Sequence, residues 1–386
     1  MGLDTQKWSR DNSNLLAVIA FIGMVFIVPN GMNLREQRMI SFEIISLFLL
    51  AVMIFRIHKP LGVFVGYLAI SAPFHHAIDV NVLLAFLSFG FLYILSTNVE
   101  KPEILYDVIC ISAILCVIWQ TLQLYGWWVM MPPAFSYVGL LSNTNETSAF
   151  LAISLPCFFR GRWKWFIIVI LAGLFLGRSV GGVVAASLAG LVWLCLNMKE
   201  IGWKKFSAAI LVGLIICSIY MINRNFNVES HKNRRWKYWT DMAPIANMKL
   251  FGWGMGQFKF VMPLLQAPTL IKPQHRYLIY NNVGDKKAFE DAVEYVGVDN
   301  VLKNKWTEIW LEAHNEYMEI WFMSGLFGLL MALYAIYHTL MMPSALIPKY
   351  GFLIACISAI WFFSFQIAPC AIITTLYMGV IHENNS

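Results

Sequence analysis

Charge is what this chain has least of. Of its 386 residues, 13% are Asp, Glu, Lys or Arg and 59% are hydrophobic. Soluble domains sit near about 25% charged and about 45–50% apolar, so an ordinary water-soluble globule is excluded. Cysteine chemistry is lacking too. The seven cysteines (Cys110, Cys116, Cys157, Cys195, Cys217, Cys356 and Cys370) all lie in apolar runs, with no CxxC and no His/Cys cluster. They read as small buried hydrophobes, not as a disulfide framework or a metal site. No GxGxxG occurs: Gly252, Gly254 and Gly256 of "LFGWGMGQF" alternate and neither follow a strand nor open a helix, so a dinucleotide site is not indicated. Their expected use is a tight turn and close backbone approach. The first apolar run, "NLLAVIAFIGMVFIV", is followed by "PNGMN" and not by a small-x-small cleavage site, so it reads as a retained span.

Long apolar runs fill the rest. A spanning helix needs about 20 mostly apolar residues. Twelve candidates follow: 13–30, 39–56, 60–75, 79–97, 103–125, 145–160, 163–178, 179–198, 205–223, 315–341, 349–364 and 366–382. The expected class is an all-α polytopic membrane protein. Lys and Arg in short loops set the orientation. With the N-terminus in the cytoplasm, twelve such residues fall inside and three (Arg35, Arg38 and Arg178) fall outside. Both termini are then cytoplasmic. The chain divides into spans 1–9 (1–223), an extracytoplasmic loop (224–307) and spans 10–12 (308–386).

That loop carries thirteen Lys/Arg against seven Asp/Glu, a net of +6. Its first half contains "RRWKYW", in which Arg234 and Arg235 precede Trp236, Tyr238 and Trp239. Guanidinium forks suit phosphate oxygens, and aromatic faces suit sugar rings. An interfacial aromatic belt would use the same residue types. Its second half, "GDKKAFEDAVEYVGVDNVLKNKW", spaces Phe289, Val293 and Val296 as an amphipathic helix would. Two further outward loops hold polar candidates. Asn143 and Asn145 in "SNTNETSAF" are candidates for polar contacts or helix caps, and residue type favours capping. Arg178 in "GRSVGG" is the one charge between Lys164 and Lys199. An ionisable residue at membrane depth is a functional candidate, with snorkelling to the headgroups as the plain alternative. Finally, "EAHNEYMEIWFMSGLFG" sets His314 and Asn315 at the lip of span ten. On a helix, Glu308, Glu312 and Glu316 would form a separate stripe, solvated or paired with arginine.

Together "SNTNETSAFLAISLP", "GRSVGG", "RWKYW", "LFGWGMGQF" and "HNEYMEIWFMSGLFG" resemble the O-antigen ligase / O-antigen polymerase superfamily of bacterial membrane glycosyltransferases. The most specific piece is His314-Asn315, nine residues, then Gly325-Leu-Phe-Gly328. The resemblance covers 135–330; Gly177 and Met323 depart from residues the family often has there, Ser and Glu. It implies a GT-C-like fold in the bacterial inner membrane, a periplasmic active site, and metal-independent transfer of a glycan from undecaprenyl diphosphate. No cofactor, metal or nucleic acid is implied; membrane lipids are. The acceptor would be lipid A-core in a ligase, a growing glycan in a polymerase, or a protein hydroxyl in a protein O-oligosaccharyltransferase. By matching position, Arg178 and Arg235 would bind the diphosphate and His314 would act at the reacting hydroxyl. Arg234, Asn315, Trp239 and Asn145 would complete the substrate contacts. From another class, a secondary transporter or a lipid-linked sugar flippase is the rival; transporters usually show two related halves, and no such repeat is visible.

Overall fold

In the computed structural model the described residues are 80–97, 99, 101–126, 137–141, 143–177, 179–196, 239–240, 242–244, 246–247, 249–258, 315–361 and 367–383, with 63–64, 67–68, 202–203 and 207. Every regular element among them is helical, and none is a strand. The expected spans 13–30, 39–56 and 205–223 lie outside the described residues apart from Ser207. So do most of 60–75 and the amphipathic stretch of the long loop.

The α-helices run in order α1 (Val80–Ser96), α2 (Pro102–Leu124), α3 (Thr144–Ser154), α4 (Ile167–Leu176), α5 (Val180–Leu196), α6 (Glu316–Met341), α7 (Leu346–Ser358) and α8 (Ala368–Glu383). Two 3₁₀ segments, Leu155–Phe159 and Gly161–Phe166, link α3 to α4. Among the described residues two helices, α2 with 23 residues and α6 with 26, are long and apolar enough to cross a membrane. The other described α-helices have 10–17 residues.

Two of the expected spans are not single α-helices. The stretches 145–160 and 163–178 are each part α, part 3₁₀. Pro156 explains the first. It has no N–H for the helical ladder, and its ring disfavours a further α turn behind it, so α3 tightens after Ser154. The Tyr377 hydroxyl donates to the Ile153 carbonyl at 3.0 Å where the change begins.

The chain divides into two compact units, one made of Met1–Ile57, Ala85–Asn227 and Ile336–Ser386, the other of His58–Leu84 and Val228–Ala335. In the first, α3 is buried from Glu146 onward, and Ala149, Phe150, Leu151, Ala152 and Ile153 are all within 1% of full burial. From Ala149 to Ile153 the helix is apolar on every side, which suits an interior. Its neighbours reach it through small residues. A Cβ on Gly182 of α5 would meet the Ser148 carbonyl oxygen at 2.5 Å, so the two backbones nearly touch. The Tyr377 ring of α8 occupies the space a side chain on Gly351 of α7 would need. On α2 the buried residues Leu105, Ile109, Cys116 and Val117 follow helical spacing, while Ile111 and Ile118 face outward, seven apart. In the second unit a smaller cluster joins Met242, Ala246, Trp253, Phe258 and Phe322, with Trp239, Met318 and Trp321 packed against it.

Candidate functional site

Two places gather the residues singled out from sequence, one in each unit. In the first unit the start of α3 is built by Asn143. Its side-chain oxygen accepts from the Asn145 and Glu146 N–H groups, both at 2.9 Å, and its amide donates to Glu146 Oε1 at 2.9 Å. This is a helix cap with a carboxylate three residues on, which also suits the positive end of the helix dipole. Glu146 is 4% exposed, so its carboxyl group is held inside the fold. Asn145 does something else. It accepts a hydrogen bond from the Ser179 hydroxyl at 2.7 Å. Of the two asparagines, only Asn143 caps. The Asn145–Ser179 bond ties the segment "SNTNETSAF" to "GRSVGG", and a second bond, from Ser148 Oγ to the Ser179 carbonyl at 3.4 Å, runs beside it. Arg178 itself lies outside the described residues, but its neighbour Ser179 is 1% exposed and fixed on both sides.

In the second unit α6 begins at Asn315, whose Oδ1 accepts from Tyr317 N–H at 3.0 Å and Met318 N–H at 3.1 Å. Asn315 is 7% exposed and its oxygen is spent on capping. His314, which precedes it, lies outside the described residues, as do Arg234 and Arg235. Trp239 packs against the Trp253–Phe322 cluster. Glu316 and Glu319 are 3% and 5% exposed. Of the two expectations for the stripe, solvated or paired with arginine, the first is thus corrected at Glu316. The helix starts there, so its phase cannot be read from Glu308 or Glu312, and Glu316 and Glu319 instead share the buried side with Phe322.

The helix is then broken. Gly325 has φ 71 and ψ 178, inside what is otherwise continuous α-helix. A break frees carbonyls from the i→i−4 ladder, and each must find a donor. The loop 250–256 supplies two. Trp253 N–H donates to the Phe322 carbonyl at 2.9 Å and Gly254 N–H to the Met323 carbonyl at 3.0 Å. The Tyr67 hydroxyl takes the Ser324 carbonyl at 2.6 Å. Backbones approach so closely that a Cβ on Gly252 would meet the Met323 oxygen at 2.3 Å, and one on Gly325 the Leu250 oxygen at 2.1 Å. The glycines of "LFGWGMGQF" do make a tight approach, as expected. Their counterpart is the "SGLFG" stretch, which meets this loop at Gly325. Gly328 meets Tyr67, whose Cε1 would lie 2.9 Å from its Cβ. Below the strap, Trp253 stacks on Phe322 at 6.0 Å and 17°, and Lys249 Nζ lies 5.3 Å from the Trp253 ring centre.

Ser179, Glu319 and Gln257 were not picked out from sequence. Ser179 was signalled only by standing next to Arg178, and Glu319 by standing three before the apolar Phe322. Gln257 is 2% exposed and its Oε1 has no hydrogen-bond partner among the described residues. No group of three His, Cys, Asp or Glu among the described residues could hold a metal ion. Compared with protein-family models, curated proteins and solved structures, the chain matches none.

Proposed function

We propose that this chain is a polytopic, GT-C-like membrane glycosyltransferase of the O-antigen ligase / polymerase type. It moves a glycan from undecaprenyl diphosphate to an acceptor hydroxyl on the periplasmic side of the bacterial inner membrane. The observation that carries the reading is the backbone strap of 252–254 on 322–325. Two of the motifs on which the resemblance was drawn, far apart in sequence, are hydrogen-bonded to each other in one unit. That strap grips α6 at Phe322 and Met323, two turns into the helix that the His-Asn motif precedes in sequence.

The chemistry follows from residue types. The acceptor hydroxyl attacks the sugar carbon that bears the diphosphate, and His314 takes its proton. The bond from that carbon to the diphosphate oxygen breaks, and undecaprenyl diphosphate leaves with the electron pair. Neutral imidazole, with a reference pKa near about 6.5, suits the base role. A positioned base is worth roughly 10²–10⁴-fold. Negative charge grows on the leaving diphosphate, so fixed guanidinium groups at Arg178 and Arg235 stabilise the transition state more than the ground state. Asn145 serves through Ser179 by holding the chain next to Arg178.

Ligase-type transfer to lipid A-core is the form we favour, on the His-Asn…Gly-x-x-Gly spacing. Repeat-unit polymerisation and protein O-glycosylation are the alternatives within the same chemistry. A glycan gel from a deletion strain separates the first two. Loss of all long chains from the acceptor, with lipid-linked polymer still made, marks a ligase; products of a single repeat mark a polymerase; an unchanged pattern of every glycan removes the proposal. A transporter reading draws on the break at Gly325, because discontinuous helices line transporter sites and their unwound carbonyls bind ions. Here those carbonyls already have donors in Trp253, Gly254 and Tyr67, which favours packing as the purpose of the break.

A further inference from the structure

The 3₁₀ turn Gly161–Phe166, "GRWKWF", belongs to neither place described above. One tryptophan and one arginine pin it. Trp163 is 9% exposed and donates its indole N–H to Asp107 Oδ1 at 2.7 Å. Arg160, just before the turn, pairs with the same carboxylate, donates to the Glu103 carbonyl at 2.6 Å, and lies 5.1 Å from the Tyr106 ring centre. The turn is therefore fixed against the first turns of α2, and its other side chains point out.

What points out is ordered by depth. Arg162 has a side chain 78% exposed, with Asp107 Oδ2 4.0 Å away. Lys164 is exposed, its Nζ 5.4 Å from the ring centre of Trp165, which is 76% exposed. Along the next helix, α4 exposes Ile168, Leu171 and Phe175 on one face at spacings of three and four. One strip thus runs from cations, through an indole, to apolar side chains. Water does not reward the lower part, and a soluble acidic partner would not explain it. The order matches a bilayer surface, where basic heads meet phosphates, Trp sits at headgroup level and aliphatic side chains meet acyl tails.

We propose that this strip binds an anionic phospholipid. Its phosphate sits at Arg162 and Lys164, its glycerol level at Trp165, and a chain along Ile168, Leu171 and Phe175. The short-loop charge count puts this turn on the cytoplasmic side, whose leaflet attracts juxtamembrane cations. The inference rests on the membrane reading of the chain and not on the transfer chemistry.

The test uses the purified full chain in neutral detergent, titrated with bromine-labelled phosphatidylglycerol or phosphatidylcholine while tryptophan quenching is followed. Quenching should saturate at lower concentration with phosphatidylglycerol, and inorganic phosphate at equal concentration should not displace it. The double variant Arg162→Gln, Lys164→Gln should weaken phosphatidylglycerol binding by about 30-fold, at the usual strength of surface cations. Trp165→Phe should remove part of the quenched signal. The charge-keeping variant Arg162→Lys, Lys164→Arg should retain the preference, which separates loss of the site from loss of the fold. Equal quenching by both lipids in the wild type overturns the proposal. Displacement by inorganic phosphate overturns the lipid as its ligand. Glycan transfer retained by the double variant leaves the proposed function standing whatever the lipid result. A chain released from membranes by alkaline carbonate would instead remove the membrane reading itself.

Discussion

A methyl group on Gly325 would stand 2.1 Å from the Leu250 carbonyl oxygen, on a backbone held at φ +71. The left-handed region alone costs a non-glycine residue about 1–2 kcal/mol, and the contact with backbone cannot be relieved by a rotamer change. Gly325→Ala and Gly252→Ala are expected to lower the melting temperature of the detergent-purified protein by several degrees. Gly90→Ala, in a helix with nothing within 4 Å of the added carbon, is the control and should hold or raise it. Equal melting temperatures for all three would mean that the strap does not hold α6. Glu316 makes a second case. As a solvated residue it would tolerate truncation, but at 3% exposure Glu316→Ala should cost about 1–3 kcal/mol. Chemical denaturation reads that cost, and a change within experimental scatter would return Glu316 to the surface.

The Ser179–Asn145 bond joins two helix starts, α3 and α5, so its worth is best read as a coupling. A double-mutant cycle with Ser179→Ala and Asn145→Ala should give an interaction of about 0.5–1.5 kcal/mol, and additive effects would deny the bond. At this scale the sequence was legible where an apolar run is long and bounded by polar residues. The expected spans 79–97, 103–125, 179–198 and 315–341 lie within two residues of α1, α2, α5 and α6. It misled where local chemistry cuts a run. Pro156 shortens α3, and hydropathy does not see a missing N–H. The capping role of Asn143 was readable from residue type, because its partners are two and three residues on. The acceptor role of Asn145 was not, since its donor lies 34 residues away. Glycine composition likewise announced a close approach at Gly252 without naming Met323 as what it approaches. His314, Arg178, Arg234 and Arg235 remain sequence-based assignments, and the groups described around them are the ones that hold their neighbours.

Taken as a whole, the molecule must be inserted with one face of its loops outside for any of the chemistry to occur. In a cysteine-free background, Lys286→Cys should react with an impermeant thiol reagent on intact spheroplasts, and Lys349→Cys should react only after lysis. Equal labelling of both would reverse the twelve-to-three charge count as a guide to orientation. The central claim is transfer from a lipid diphosphate with His314 as the base. It is tested most directly by adding purified undecaprenyl-diphosphate-linked glycan and acceptor to the purified full chain, and comparing initial rates for wild type, His314→Ala and His314→Gln. The account predicts metal-independent transfer by the wild type, and a fall of about 10²–10⁴-fold in both variants with melting temperatures near that of the wild type. Near-normal transfer by either variant would contradict the catalytic role of His314, and no transfer by the folded wild-type chain to any of the three acceptor classes would contradict the claim itself.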